Sequence, residues 1–195
     1  MKLHTMSRLA AGVVIACATQ AALASDISFA GLSGFTGSAL GTYAEDGFTV
    51  SAAFGDWREA HAFGAPQPSV YVEDLRSTPF GGLAVTNGGL FTFESVDLSA
   101  YASAVGYEIT GWLGGVALFD VAGSQGTGLF DSIGSGSSAL IDRLTIDVAS
   151  AGPGSFNVDN IRVSAVSPVP EPSSYGLMLL GLGVLGGFMR RRSRA

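Results

Sequence analysis

The sequence predicts an all-β protein: an antiparallel β-sandwich of jelly-roll type, flanked by an N-terminal signal-peptide helix and a C-terminal transmembrane helix. Three observations carry this. Apolar and polar residues alternate with period two through the middle of the chain, the pattern of strands with one face turned inward. Charged residues make up only 13% of the chain while glycines number 28, a balance that suits turn-rich β structure better than helices. No amphipathic helical pattern separates the strands, which favours antiparallel packing over a βαβ arrangement.

The first 24 residues read as a secretory signal. Lys2 and Arg8 precede an apolar stretch from Leu9 to about Ala18, followed by Ala22-Leu23-Ala24. This layout places cleavage after Ala24 and leaves Ser25 as the new first residue. The apolar stretch is short for a membrane span. A second reading takes Val14-Ile15-Ala16-Cys17 as a lipobox that would lipidate Cys17. Cys17 is the single cysteine, so cleavage at Ala24 leaves no thiol for a disulfide, a zinc site or a nucleophile.

The β-sandwich domain is expected over residues 25–165. Phe48 to Phe54 alternates, with Phe48, Val50, Ala52 and Phe54 on one face. Leu90 to Phe93 and Gly106 to Leu113 read as strands, and Gly114-Gly115 as a tight turn into Val116 to Asp120. A short turn is expected from Asp97 to Val105, and a short strand from Leu129 to Ile133. Leu140, Leu144, Ile146 and Val148 share a face of a longer strand. In the last strand, Phe156 and Val158 are in one phase and Ile161 and Val163 in the other. A bulge near Asp159-Asn160 would bring both pairs into the core.

Charge narrows the function classes. From Ser25 to Pro168 there are fifteen acidic residues against four arginines (Arg58, Arg76, Arg143 and Arg162), a formal charge of −11. Such a domain repels phosphate backbones, so no nucleic acid is expected as a partner. Hard cations suit oxygen-rich acidic surfaces. No G-x-S-x-G, H-E-x-x-H or P-loop motif is present, no catalytic residue is nominated, and no enzyme is expected.

The C-terminal end is organised in three parts. Residues 166–174 form a proline-rich linker holding Val169-Pro170-Glu171-Pro172. Residues 175–189 are uncharged and read as a transmembrane helix at the lower limit of length. Residues 190–195 are a basic tail with Arg190, Arg191 and Arg192, which the positive-inside rule keeps cytoplasmic. The sandwich then lies outside, in agreement with the leader. Gly181 to Gly186 fits G-x-G-x-x-G, but without a preceding strand it has no nucleotide-binding context. Gly183 to Gly187 fits G-x-x-x-G, a helix-packing motif.

The V-P-E-P motif, the Gly/Leu-rich span and the arginine cluster, in that order and at the C-terminus, resemble the PEP-CTERM sorting signal of Gram-negative bacteria. The resemblance implies recognition by an exosortase, an inner-membrane-anchored intermediate, and delivery to the cell surface or an exopolysaccharide matrix. Secretion machinery and a signal peptidase are the other implied partners, with exopolysaccharide as a further one. The competing reading is a plain C-terminal anchor on a proline-rich stalk.

Within the domain, two kinds of site are candidates. The stretch SFNVDNIRVS resembles the closing strand of jelly-roll carbohydrate-binding modules, where a similar Asp helps hold a structural calcium. That resemblance implies a structural Ca²⁺ on Asp159 with Glu45 or Asp46. The alternative is that Asp159 and Asn160 bond the local backbone. Trp57, in the loop-like segment from Gly55 to Ser69 that also holds His61, and Trp112 are candidate stacking surfaces for a sugar. For Trp57 the alternative is a cover over one end of the sandwich. The expected role is structural or adhesive at the surface or in the matrix, with a carbohydrate-binding module as the alternative and a secreted hydrolase third.

Overall fold

Period-two alternation makes each segment a strand with one apolar face, and two such faces close on each other. The computed structural model describes residues 23–72, 80–149, 154–166, 176 and 178–182. Twelve strands follow in chain order: β1 (Leu23–Ile27), β2 (Tyr43–Glu45), β3 (Phe48–Phe54), β4 (Trp57–Ala60), β5 (Ser69–Val72), β6 (Phe80–Thr86), β7 (Phe91–Tyr101), β8 (Val105–Leu113), β9 (Val116–Gln125), β10 (Asp131–Gly134), β11 (Arg143–Ala149) and β12 (Ser155–Ala165). One six-stranded sheet has the order β10-β7-β12-β5-β4, with β1 pairing β12 off this path. The second has the order β2-β3-β6-β11-β8-β9. All the strand pairs are antiparallel, as the sandwich reading expects.

The core lies between the sheets. Val70, Leu98, Phe156 and Val158 from the first meet Val50, Leu83, Ile109 and Ile146 from the second, all without exposure. Aromatic pairs tie the layers: Phe48 meets Phe91 edge-on at 5.3 Å, and Phe93 stacks with Phe119 at 6.0 Å. Gly111 makes room for the second pair, because a Cβ there would collide with the Phe119 ring. Gly114 and Gly115, at φ 56° and 84°, form the tight turn of the β8–β9 hairpin.

The bulge in β12 is present. The register with β7 shifts between Asp159 and Arg162, and Asn160 takes φ 45°. Phe156, Val158, Ile161 and Val163 are consequently all buried. A second bulge corrects the reading of β3. The register with β6 shifts between Ala52 and Phe54, so Phe54 turns outward over Gly82 and is 46% exposed.

Other segments also depart from expectation. Asp97 to Tyr101 continues β7 instead of turning, because Val96, Leu98 and Ala100 keep the inward phase. Strand β9 extends to Gln125. Leu140 is outside the core, and Ile141 is buried in its place. The Gly55–Ser69 segment holds β4 and the first residue of β5, and residues 55–56 and 61–68 are the connections.

Ala22 and the rest of residues 1–22 lie outside the described residues, while Ala24 and Ser25 are within β1. At the other end Gly176 and residues 178–182 are helical. Among the described residues no helix is long and apolar enough to cross a membrane. Val169, Pro170, Glu171, Pro172, Arg190, Arg191 and Arg192 lie outside the described residues.

Candidate functional site

The outer face of the β7-β12-β5-β4 sheet carries polar residues that two loops cover. Asp159 projects from the bulge of β12 yet has no exposure. Its Oδ2 accepts the Ala65 N–H at 2.7 Å and its Oδ1 the Asn160 N–H at 2.9 Å. The Asn160 side-chain amide donates to the Ala65 carbonyl and, at 2.8 Å, to Asp97. Both main-chain groups of Ala65 are thus held by the bulge, which pins the 61–68 loop across the sheet. The loop is further tied by Ser69 Oγ to the Phe63 carbonyl, by Gln67 to the Ala62 carbonyl, and by the His61 N–H to Thr36.

Beside this network Arg162 forks onto Asp97, with nitrogen–oxygen distances of 3.0 Å to each carboxylate oxygen. It also comes within 3.9 Å of Asp26. Burial pushes the Asp159 carboxyl up to about 6, against the pull of its two backbone donors. Burial would also raise Asp97, but hydrogen bonds from Arg162, Asn160 and Ser132 outweigh it and hold Asp97 below the usual carboxylate range. The same hydrogen bond raises Arg162.

The pinned loop forms one wall of an open groove of about 250 Å³. Phe63 stands on the loop and stacks on Phe130 at 5.1 Å. Tyr71 of β5 and Asn157 of β12, opposite each other in register, lie along the floor. Tyr101, 72% exposed, stands at the rim with Ser155, its partner in the β7–β12 ladder. Gly154 permits this approach: its φ is 150°, and a Cβ there would collide with the Tyr101 carbonyl. Thr36 and Ala60 also line it. Asn157, only 5% exposed, lines the groove, which therefore combines aromatic faces with a carboxamide donor and acceptor.

The residues nominated from sequence fall elsewhere. Trp57 is 2% exposed, packs in the core and donates its indole N–H to the Phe54 carbonyl at 3.1 Å. It covers the sandwich interior and has no free face for a sugar. Trp112 is half-buried on the outer face of the other sheet, where it donates to Thr145 at 3.0 Å and lies 5.2 Å from the Arg143 guanidinium. Glu45 accepts the Ser28 hydroxyl, the Phe29 N–H and the Tyr43 hydroxyl, at 3.0–3.1 Å. Asp46 sits at φ 50° in the β2–β3 turn. Glu45, Asp46 and Asp159 do not form a donor set: among the described residues no group of three or more His, Cys, Asp or Glu is placed to hold a metal ion. The carboxylate oxygens of Glu45 and Asp159 accept N–H and O–H donors from the surrounding chain.

Sequence reasoning missed Phe63, Tyr71, Tyr101 and Asn157. One signal was available: Asn157 occupies the outward phase of β12 between two core residues, in line with Asp159.

The tail is decided by its residue pattern. Residues 168–193 match the family model of the PEP-CTERM protein-sorting motif. The chain carries a PEP-CTERM signal. That signal marks an exported protein that passes through a membrane-anchored intermediate. The sandwich itself is similar in fold to several solved structures. The CBM22-1 xylan-binding domain of Paenibacillus barcinonensis Xyn10C is 14% identical at a TM-score of 0.45, covering 78% of this chain and 100% of that one. The family 32 module of C. perfringens NanJ in complex with galactose is 14% identical at 0.43, covering 70% and 98%. The CBM22-1–GH10 modules of Clostridium thermocellum endo-1,4-β-D-xylanase 10B, complexed with xylohexaose, are 12% identical at 0.41. That match covers 61% of this chain and 26% of that one, so the chain spans about a quarter of the length of those modules. No curated protein sequence matches the chain.

Proposed function

We propose that the sandwich is a non-catalytic glycan-binding module, delivered by its PEP-CTERM signal to the cell surface or the exopolysaccharide matrix, where it acts adhesively. The observation that carries the reading is the groove itself, where the Phe63, Tyr71 and Tyr101 rings stand around the Asn157 carboxamide. Aromatic rings supply flat apolar surface for the C–H faces of a sugar ring. Asn157, Ser155 and Thr36 supply donors and acceptors for hydroxyl groups. Among the described residues no ionised side chain lines the groove, which suits a neutral sugar unit. Processing by an exosortase at the V-P-E-P motif belongs to the same reading.

Affinity electrophoresis against a panel of neutral and acidic polysaccharides tests it. Saturable binding is expected to weaken by about tenfold or more in Tyr71→Ala and in Asn157→Ala. Trp112→Ala, on the other sheet, is expected to bind as the parent does. Binding that survives both groove substitutions, or no binding across the panel, would sink the assignment.

A further inference from the structure

Five strands pair on one side only within the sheets, and four of these edges are short or covered. Strand β1 has five residues, β2 three and β10 four. The outer edge of β4 is taken by residues 37–40: Gly37 N–H donates to the Glu59 carbonyl, Glu59 N–H to the Ser38 carbonyl, and Leu40 N–H to the Trp57 carbonyl. Strand β9 is the exception. It runs for ten residues and pairs on one side only, with β8. Among the described residues no main-chain hydrogen bond reaches its other side.

A bulge at Leu118 interrupts the edge near its start, but the seven residues from Phe119 to Gln125 pair with β8 in unbroken register, and the edge has little other protection. It contains no proline, lysine or arginine, and Asp120 is its single charge. Val116 is 63% exposed and Leu118 44%, with Leu113 of the hairpin tip at 38%. On the inward side Phe119 and Val121 are only half covered. A long open strand with apolar residues on both faces is a template for another strand.

We propose that β9 pairs antiparallel with β9 of a second copy, about a two-fold axis, and joins two sandwiches through one continuous sheet. A second copy fits because an antiparallel edge is complementary to itself: past the bulge, from Phe119 to Gln125, its outward donors and acceptors alternate, and a two-fold axis matches them. The same strand brings Leu118 to the outer face and Phe119 and Val121 to the inner face on both sides of the junction. The C-terminal signal gathers copies on one membrane, which raises their effective concentration. Two Asp120 side chains directly opposite each other would repel, so the pairing steps by two residues, away from the bulge, and sets Asp120 against Ala122. The glycan groove lies on the other sheet, so the two assignments stand or fall separately.

The test is sedimentation velocity of the full-length chain in density-matched detergent over a concentration series. A monomer–dimer equilibrium is expected in the parent. The double substitution Leu118→Asp with Ala122→Asp, both at exposed positions, is expected to abolish the dimer by placing like charges across the junction. Asp120→Asn is expected to tighten it. Hydrogen exchange should show β9 amides becoming protected as concentration rises, and thermal melting shows whether each variant keeps its fold. A parent that stays monomeric overturns the proposal. So does a dimer that survives the double substitution, which assigns association to the tail, and so does β9 protection that requires added polysaccharide.

Discussion

Asp159 is buried at the bulge of β12 with its carboxylate turned to two backbone N–H groups, and this sets its pH behaviour. Its folded value of about 6 lies above the 3.8 of an unperturbed aspartate, so the folded chain holds this proton more tightly than the unfolded chain. The sign follows from linkage: this group's contribution to stability falls as pH rises from about 4 to about 6 and is level above that. The size is on the order of 2–3 kcal/mol. Asp26 and Asp147, both raised by burial, act in the same direction. Asp97 acts oppositely, since its lowered value gives stability that is lost as pH falls below the ordinary aspartate range. Melting temperatures measured from pH 4 to pH 7 in the parent and in Asp159→Asn should show a decline in the parent that flattens in the variant. Equal slopes in the two proteins would remove Asp159 as the source. The role of this residue was half legible in the sequence. That Asp159 and Asn160 bond local backbone at a bulge follows from their side-chain chemistry. That the backbone belongs to Ala65, more than ninety positions away, depends on tertiary packing that no local pattern carries.

At the scale of elements, what could be read was phase. The bulge in β12 was legible because two apolar pairs of opposite phase demand it, and the β8–β9 hairpin because Gly114-Gly115 separates two alternating runs. The second half of β7 was not, because its outward positions, Asp97 and Ser99, are turn-forming residues. They are buried not by the core but by hydrogen bonds to Arg162 and to the Gly128 carbonyl. Strand β4 was hidden inside a charged run for the same reason: Arg58 donates to the Gly37 carbonyl and Glu59 accepts from Gly34. The β8–β9 hairpin offers a packing test. In Gly111→Ala the new methyl group would displace the Phe119 ring from Phe93. A loss of about 1–3 kcal/mol is expected, read as a fall of several degrees in melting temperature. A melting temperature unchanged within a degree or so would show that the ring relocates freely.

For the whole molecule, the function divides between a cargo and an address. The address was the most legible part of the sequence, since it depends on order and composition and not on tertiary contacts: a V-P-E-P motif, an apolar run and arginines at the end. The ligand groove was the least legible, because Phe63, Tyr71, Tyr101 and Asn157 come from a loop and three strands spread over almost a hundred positions. Replacing Pro170, Glu171 and Pro172 together by alanine tests the address. The altered chain is expected to stay in the membrane fraction with its C-terminal arginines intact, whereas the parent should leave that fraction with a shortened C-terminus by mass spectrometry. A parent whose C-terminus is never shortened returns the tail to the role of a plain anchor.

The pairing of β1 with β12 has a spatial consequence. Leu23 stands opposite Ala165, so the chain enters and leaves the sandwich at the same pole. Asn157 and Ser155 lie at the other end of β12, eight and ten residues from Ala165, or roughly 25–35 Å away along the strand. In the membrane-anchored intermediate the tether therefore leaves from that pole, and the aromatic groove opens near the far one.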